Sequence, residues 1–390
     1  MQLSGLRVVD LSRLLPGPYA SLVLADLGAE VLKIEAPDGG DYLRWMPPLT
    51  SGEGPGAKVS WAFFALNSGK RSLALDLKRP EGADIFRALV AEADVVIESF
   101  RPGVMERLGL GYDALSAINP RLVYCAISGY GQTGPYRDAP GHDLNYMALA
   151  GALGLAGPVD RAPQVLPIQA ADIGGSLWAL VGILAALVER QRTQLGTFLD
   201  ISMTEGVTGF LAAALAAHLG AGSAPPKRGA DVLTGGQAGY NVYTTADGGH
   251  LSVAPLEPKF WLAFCTKVGR LDWLKRQFEP ALRLELEALF LTKTRSEWES
   301  LLAKSDACVE PVLRPDELAS HPIHRERNLV VTSTDGLRRL RTPIRKPDAP
   351  PPGPAPSLGG DTRAVLAELG YAPDAIEALI RSKVVATGGS

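Results

Sequence analysis

Four side chains in this sequence are of the types that move protons in enzymes. His142 and Asp143 are adjacent in PGHDLNYMALAG, just before an apolar run with helical spacing, and the chain has only five histidines in 390 residues. Asp172 opens an apolar helix in QAADIGGSLW, and Glu257 stands between a predicted strand and a predicted helix in VAPLEPKFW. A histidine titrates near neutral pH and a nearby carboxylate can hold its tautomer, so this set suits general acid–base chemistry.

A structural role is the alternative for each of these residues. An aspartate at a helix start caps backbone amides, which would explain Asp143 and Asp172 without catalysis. His142 would then be a hydrogen-bonded neighbour, and Glu257 a surface carboxylate at the start of a helix. The two glycines after Asp172 would also let a ligand approach the backbone closely, and a carboxylate there could be a base or a nucleophile. The residue types alone leave both interpretations open.

A group of basic residues lies near the ends of predicted strands. In open α/β sheets those ends form the ligand crevice, and clustered Lys and Arg there suit phosphate groups. A solvated basic surface is the alternative, and the lack of a P-loop argues against ATP chemistry. The members of the group are Lys70, Arg71, Lys78, Arg101 and Arg107.

The elements that must position these residues alternate between strands and helices. Short apolar runs predict buried strands at 6–11, 31–34, 72–77, 95–97 and 122–127. Helical patterns join the early strands, which indicates βαβ units and a parallel sheet. The first turn reads LLPGP and not GxGxxG, so the dinucleotide-binding fingerprint is absent. We predict an α/β protein with a large doubly wound, Rossmann-like domain and a smaller α/β domain.

The second half of the chain predicts the smaller domain. From Leu177 to about Leu219 the pattern is helical, a Gly/Pro-rich connection follows, and Asp247-Gly248 predicts a hairpin turn. Helical patterns then occupy 259–268 and 285–305. The predicted boundaries, including a proline-rich strap at 346–360, are 1–220 for the first part of the large domain, 221–335 for the small domain and 336–390 for a return to the large domain.

Composition restricts the class of protein. The net charge is −3 and 46% of the residues are hydrophobic, so nothing indicates a nucleic-acid partner or an anionic membrane surface. The apolar run from Ile173 to Val188 is interrupted by glycines and predicts a buried helix, not a membrane span. Cys125, Cys265 and Cys308 lack the spacing of a zinc site. Together with the absence of a signal-peptide pattern, these features predict a cytoplasmic protein without a metal.

The sequence resembles the family III CoA-transferase superfamily over nearly its whole length. The resemblance is carried in order by PGPYASLVLADLGAEVLKIE, NSGKRSLALDLK, ESFRPGVMERLGLGY, GQTGP, GHDLNY, ADIGG and LEPKFW. Transferases of this superfamily imply that Asp172 forms an acyl anhydride and then an aspartyl-CoA thioester. Its α-methylacyl-CoA racemases imply that His142 and Asp172 exchange a proton with the α-carbon, while Asp143 and Glu257 orient them. The joint presence of all four residues favours racemisation of 2-methyl-branched acyl-CoA, with CoA transfer as the alternative.

The resemblance also implies the ligand and the assembly. CoA would enter as part of the substrate, with no permanently bound cofactor, and the protein would form a homodimer of interlocked chains. Two departures from the family pattern are Ala36, where an adenine-stacking arginine is common, and Thr234, where racemases have an aspartate. The residues implied to bind CoA are Lys78, Ser99, Phe100, Arg101, Arg107, Gly141 and Tyr146.

Overall fold

The computed structural model of the protein describes residues 2–50, 60–344 and 350–388. The chain forms two compact units. The first comprises Met1–Ala150, Gln169–Gly209 and Pro322–Ser390, and the second comprises Gly151–Ile168 and Phe210–His321.

The strands and helices follow one another along the described residues. The strands are β1 (Arg7–Asp10), β2 (Glu30–Glu35), β3 (Arg71–Leu75), β4 (Val95–Glu98), β5 (Val123–Ser128), β6 (Thr197–Ser202), β7 (Asn241–Thr244), β8 (His250–Val253), β9 (Val309–Pro311), β10 (Val330–Thr332), β11 (Arg338–Leu340) and β12 (Val385–Ala386). The α-helices are α1 (Pro16–Asp26), α2 (Trp61–Asn67), α3 (Pro80–Ala91), α4 (Val104–Arg107), α5 (Tyr112–Ile118), α6 (Asp143–Leu149), α7 (Ala170–Thr193), α8 (Met203–Phe210), α9 (Ala212–Ala221), α10 (Pro258–Val268), α11 (Leu282–Phe290), α12 (Arg295–Leu302), α13 (Pro322–Arg325), α14 (Thr362–Glu368) and α15 (Pro373–Arg381).

The first unit is built on a seven-stranded sheet with the order β12-β3-β2-β1-β4-β5-β6. Strands β1 to β6 are parallel, and Val8 of β1 pairs with Val31 on one side and Val95 on the other. All residues of β4 and β5 are buried, as expected for parallel strands covered on both faces. The sheet confirms the predicted α/β, doubly wound fold. The order reverses between β1 and β4, so the crevice at the carboxyl ends of these two strands is the position where such sheets bind ligands.

The central helix α7 spans 24 residues and carries Asp172 in its first turn. By length and composition it could cross a membrane, but a core helix of a soluble protein passes the same test. It packs against α1, β5 and β6. Ala179 and Ile183 are fully buried on that side, whereas Val181 and Val188 are 57% and 73% exposed. The prediction of a buried helix therefore holds for one face only.

Two predictions of continuous helix were wrong. Residues 197–202, inside the run expected to be helical from 177 to 219, form edge strand β6 beside β5. Gly196 allows the chain to pass close to Leu122 just before β6, because a Cβ at this position would lie 1.9 Å from the carbonyl oxygen of Leu122. The run expected at 285–305 is split into α11 and α12, because Thr294 begins a new helix by accepting a hydrogen bond from the N–H of Glu297.

The second unit has its own sheet and core. Strands β7, β8 and β9 form an antiparallel sheet, and Gly248 has a φ of +77° in the predicted hairpin turn. Large side chains fill the core, among them Trp261, Phe264 and Trp298.

The borders of this unit differ from the predicted 221–335, which remains a sequence-based prediction. The unit also takes in 151–168, because the guanidinium of Arg228 donates hydrogen bonds to the carbonyl oxygens of Gly154, Pro158 and Arg161. Its other border is His321, and the following segment 322–344 belongs to the first unit. Part of the proline-rich strap predicted at 346–360 lies outside the described residues.

Candidate active site

The loop that carries His142 is shaped by a tyrosine wedged against two glycines. The hydroxyl of Tyr146 donates to the carbonyl oxygen of Gly141 at 2.5 Å. A Cβ at Gly129 would lie 2.4 Å from the Tyr146 ring, and one at Gly141 would lie 2.6 Å from it. Glycine is therefore required at both positions for the ring to fit. His142 lies next to this wedge as the exposed residue before α6, and its carbonyl oxygen accepts from the N–H groups of Asn145 and Tyr146.

Asp143 links the start of α6 to the start of α7. Its Oδ1 accepts hydrogen bonds from the backbone N–H of Ala171 at 2.7 Å and of Asp172 at 3.2 Å. These are N–H groups of the first helical turn, which have no acceptor within the helix. Asp143 is thus a helix cap, as the structural alternative proposed, but it caps a helix that begins 27 residues later in the chain. Because Asp143 follows His142 directly and bonds the N–H of Asp172, these hydrogen bonds bring the segment of His142 close to the start of α7.

The carboxyl group of Asp172 has a strongly shifted pKa. Burial, and to a lesser degree the negative charge of Asp143, raises the pKa of Asp172 from 3.8 to about 7. Its side chain is not an N-cap, because Gln169 holds the capping position and Asp172 is the third residue of α7. A carboxyl group that is half protonated near neutral pH can both give and take a proton.

Tyr146 stands near the same carboxyl group. Burial raises the pKa of its hydroxyl to about 12, with a further contribution from the charge of Asp172, while Arg101 acts in the opposite direction. Since the charges of Asp172 and Arg101 both act on the Tyr146 hydroxyl, these three side chains lie near one another in the first unit. The ring is only 7% exposed, so Tyr146 forms a wall of this region.

Gly175, the second glycine after Asp172, serves packing. Gly174 and Gly175 are buried in α7, and a Cβ at Gly175 would lie 2.7 Å from the Cγ of Met203. The expectation that these glycines open the backbone to a ligand was therefore wrong for Gly175. Its role is to let α7 approach Met203 closely.

Glu257 belongs to the second unit, whereas His142, Asp143 and Asp172 belong to the first. It is exposed and precedes α10, with Pro258 as the first helical residue. Its negative charge reaches Cys308, where it adds to the burial that raises the pKa of that thiol. The catalytic role implied for Glu257 stays a prediction.

The residues implied to bind CoA lie at the carboxyl ends of parallel strands. Lys78 follows β3 and is exposed, and Arg101 and Arg107 follow β4 and are exposed as well. Ser99 and Phe100 come directly after β4, next to the switch point of the sheet. Their contacts with CoA stay a prediction, and their placement at one sheet edge is the geometry that such a site requires.

Two other members of the basic cluster that was predicted to bind phosphate have partners within the protein. The Nζ of Lys70 is fully buried, 3.3 Å from Asp10 and 2.8 Å from Oδ1 of Asn67. Arg71 makes two hydrogen bonds to the carboxylate of Glu368. Both precede or begin β3, at the opposite end of the strand from Lys78, so the inclusion of Lys70 and Arg71 in a phosphate site was wrong.

Sequence reasoning missed three groups at this sheet edge. Burial raises the pKa of Glu98, the last residue of β4, to about 8, although the N–H of Phe100 donates to it at 2.7 Å. Arg137 approaches Arg107: a Cβ at Gly103 would lie 3.0 Å from one guanidinium and 3.2 Å from the other. Arg13 follows β1, and its position three residues after a buried strand was the signal that could have identified it.

Basic residues at the carboxyl ends of strands suit a ligand with phosphate groups, and a carboxyl group with a pKa near neutrality suits acid–base or nucleophilic chemistry. Comparison with known proteins identifies the family. The sequence model of CoA-transferase family III matches residues 3–362, and the chain belongs to this family. It is 37% identical to the human α-methylacyl-CoA racemase, with 99% of this chain and 98% of the relative covered. It is 34% identical to the succinate–glutarate CoA-transferase of Agrobacterium fabrum, with 94% of this chain and 95% of that protein covered.

Solved structures agree with the fold. The crystal structure of a CAIB/BAIF family protein from Brucella suis superposes with a TM-score of 0.82 at 34% identity, covering 94% of this chain and 98% of that chain. The protein is therefore an enzyme of the racemase-like or transferase type within this family, whose substrates are linked to CoA.

Proposed function

We propose that this enzyme inverts the α-carbon of 2-methyl-branched acyl-CoA thioesters by proton transfer between two bases, His142 and Asp172. The observation that carries the proposal is the pKa of Asp172, about 7, which burial and the charge of Asp143 hold far above 3.8. Acid–base catalysis is most efficient when the pKa of the group lies near the operating pH. A carboxyl group tuned in this way suits an exchange of acid and base roles better than nucleophilic attack, which requires the ionised form.

Inversion needs one proton removed from one face of the α-carbon and another delivered to the opposite face. In one direction the carboxylate of Asp172 takes the proton and the imidazolium of His142 supplies the new one. In the other direction neutral His142 is the base and protonated Asp172 is the acid. Asp143 fits the supporting role, because its bonds to the first turn of α7 hold the backbone of Asp172. The supporting role that the family resemblance implies for Glu257 stays a prediction from the sequence.

The test is incubation with a single enantiomer of a 2-methylacyl-CoA in deuterated water. We expect deuterium at the α-carbon together with conversion to the other enantiomer, and no covalent adduct on the protein by intact mass. A hydroxylamine-sensitive adduct on Asp172 without α-proton exchange would contradict the proposal. A protein heated before the incubation serves as the control for spontaneous exchange.

CoA transfer between carboxylic acids is the second candidate, favoured by the likeness to the succinate–glutarate enzyme over 94% of this chain. Asp172 would then attack the acyl-CoA carbonyl and displace CoA, which leaves the acyl group on the carboxyl group as an anhydride. CoA next attacks the aspartyl carbonyl, which releases the donor acid and forms an aspartyl-CoA thioester. The acceptor acid displaces CoA from this thioester to form a second anhydride, and CoA then attacks the acceptor's acyl carbonyl and frees Asp172. Incubating an acyl-CoA donor with an isotopically labelled acceptor acid would reveal labelled acyl-CoA. The same mixture should trap an acyl or CoA adduct on Asp172 in the intact mass spectrum.

We propose in addition that the active protein is a homodimer of interlocked chains, in the cytoplasm. The connections at 220–239 and 346–360, predicted to pass between the two domains, support the proposal on the sequence level. Sedimentation velocity at micromolar concentration should give the mass of two chains. A species of 41.3 kDa, the mass of one chain, would contradict it.

A further inference from the structure

The turn after β1 presents an arginine held between two aromatic rings. The guanidinium carbon of Arg13 lies 5.2 Å from the centre of the Phe100 ring and 5.5 Å from the centre of the Tyr42 ring. The backbone N–H of Arg13 donates to the hydroxyl of Ser99 at 3.1 Å. These contacts join the loop after β1 to the loop after β4, which flank the switch point of the sheet.

This arginine is half-buried, yet it has no carboxylate partner within ion-pair distance among residues 2–50, 60–344 and 350–388. Other half-buried or buried arginines of the first unit do have partners: Arg44 pairs with Glu35, and Arg190 pairs with Asp94. An aromatic ring that contacts the face of a guanidinium orients it and leaves its N–H groups free to donate within the guanidinium plane. Arg13 is thus a positioned cation whose hydrogen-bond donors lack an anion.

The backbone next to Arg13 is strained at Leu14, and a buried ion pair holds it in place. Leu14 has a φ of +62°, a conformation that a leucine rarely adopts. Its N–H donates to both oxygens of the Asp41 carboxylate, at 3.1 Å and 3.3 Å. Asp41 is 1% exposed and pairs with Lys33 at 3.0 Å. Strain that is maintained by a buried network is found preferentially at functional sites, because such a network can hold a residue in an unfavourable but useful position.

We propose that Arg13 binds a phosphate group of the CoA thioester. The inference rests on the proposed function, because the ligand is the CoA ester on which that function acts. A guanidinium donates two parallel hydrogen bonds to a phosphate, and a flat cation stacked between rings loses little freedom when it does so. The position at the switch point, beside Ser99 and Phe100, places this cation next to the residues already predicted to bind CoA.

The test is the affinity of Arg13→Met for CoA, 3′-dephospho-CoA and pantetheine, measured by calorimetry. Methionine keeps an apolar side chain between the rings and removes the charge. We expect CoA to bind roughly 10- to 100-fold more weakly, which corresponds to about 1.4–2.8 kcal/mol, and pantetheine to bind as it does to the unaltered protein. If the loss persists with 3′-dephospho-CoA, Arg13 contacts the diphosphate. If the loss disappears with it, Arg13 contacts the 3′-phosphate.

Two further variants separate binding from folding. Arg13→Lys keeps the charge and should retain more of the CoA affinity than Arg13→Met. Arg192→Met is the matched control: Arg192 is highly exposed and lies 20 residues along α7 from Asp172, about 30 Å at 1.5 Å per residue. It should bind CoA like the unaltered protein. Equal losses for pantetheine and CoA, or an unchanged CoA affinity in Arg13→Met, would overturn the inference.

The outcome is distinguishable from failure of the proposed function. If the unaltered protein binds CoA and Arg13→Met does not, Arg13 is a binding residue even when no racemisation is observed. If racemisation is observed and Arg13→Met leaves the KM for the acyl-CoA unchanged, the proposed function stands and the role of Arg13 is wrong. When the role is correct, the KM rises while kcat changes by less than about twofold, since the phosphate contact is equal in the ground and transition states.

Discussion

Asp10 and Asp172 are two buried or half-buried carboxyl groups of the same unit with opposite behaviour. Burial acts on both to raise the pKa. At Asp10 the charges of Lys70 and Lys33, with hydrogen bonds from two serine hydroxyls, outweigh burial and lower the pKa. At Asp172 the charged neighbour is the carboxylate of Asp143, and the pKa rises to about 7. Whether neighbouring cations offset burial therefore decides whether such a carboxyl group stays ionised or has a pKa near neutrality.

The network around Asp10 serves the loop after β1. Asp10 accepts from the N–H and hydroxyl of Ser12, and the Nζ of Lys33 donates to the carbonyl oxygen of the same serine. Lys33 and Asp41 then form a second ion pair with neither side chain exposed. Each charge has its partner, so this part of the unit is expected to be rigid, although burial lowers the pKa of Lys70 to about 8. Rigidity here holds the loop that carries Arg13.

The largest expected effect in this comparison is the loss of activity in Asp172→Asn. The asparagine has the same shape but cannot exchange a proton, so inversion and deuterium incorporation should fall by about 10⁴-fold, at the upper end for acid–base catalysis. Folding should be preserved, because no cation loses its partner. The measurement is initial rate with a 2-methylacyl-CoA, with Asp84→Asn on the exposed side of α3 as the control. An Asp172→Asn variant with normal turnover would exclude both candidate functions.

His142→Ala distinguishes the two candidate functions. Under racemisation the variant should lose inversion, because the second face has no proton donor, while Asp172 can still exchange deuterium into one enantiomer. Under CoA transfer the variant should only be slowed, since the nucleophile remains. The measurement is chiral analysis of the product alongside the deuterium content. Retained inversion would remove His142 from the two-base mechanism.

Lys70→Met should destabilise the first unit without a direct effect on proton transfer. Removing the cation leaves Asp10 buried without its nearest ion-pair partner, and breaking a buried pair costs about 3–5 kcal/mol. The measurement is the free energy of unfolding in urea. Arg87→Met, which removes an exposed ion pair with Asp84, is the control and should change that free energy by less than about 1 kcal/mol. Equal effects of the two variants would show that burial of the pair is not what matters.

Asp143→Asn should shift the activity profile toward lower pH. The substitution removes the negative charge that contributes to the raised pKa of Asp172, so the carboxyl group should ionise more readily. The side-chain oxygen of asparagine can still accept hydrogen bonds from the start of α7, which keeps the geometry. The limb of the kcat/KM profile that reports Asp172 should move below its position near pH 7. A limb that does not move would assign the raised pKa to burial alone.

A further prediction concerns stability against pH. The folded pKa of Asp172, about 7, lies above the unfolded value near 3.8, so the folded state holds a proton that the unfolded state has lost. Stability relative to Asp172→Asn should therefore be greatest below pH 4 and should decrease as the pH rises from about 4 to about 7. The measurement is the difference in unfolding free energy between the two proteins at several pH values. A difference that grows with pH would contradict the raised pKa.

Local sequence patterns were sufficient for the elements that bury apolar runs. Strands β1 to β5 follow from short β-branched segments, and the hairpin turn at Asp247-Gly248 follows from its turn residues. The pattern failed at β6, because this six-residue strand lies between helices α7 and α8, and its Phe198, Leu199 and Ile201 continue the apolar pattern of the helical run. The helix start at Thr294 was missed although its capping box is visible in the sequence.

The sequence by itself determined which residues are available for chemistry: the adjacent His142-Asp143, Asp172 in ADIGG, and the motifs that carry the family resemblance. Only the tertiary structure decided which partners these residues have and how their pKa values are shifted. Asp143 caps a helix that begins 27 residues later in the chain, and Lys70 forms an ion pair with Asp10, from which it is separated by 60 residues. The physical reason is that helix and strand signals are local, whereas a pKa depends on burial and on charges that packing brings together from distant parts of the chain.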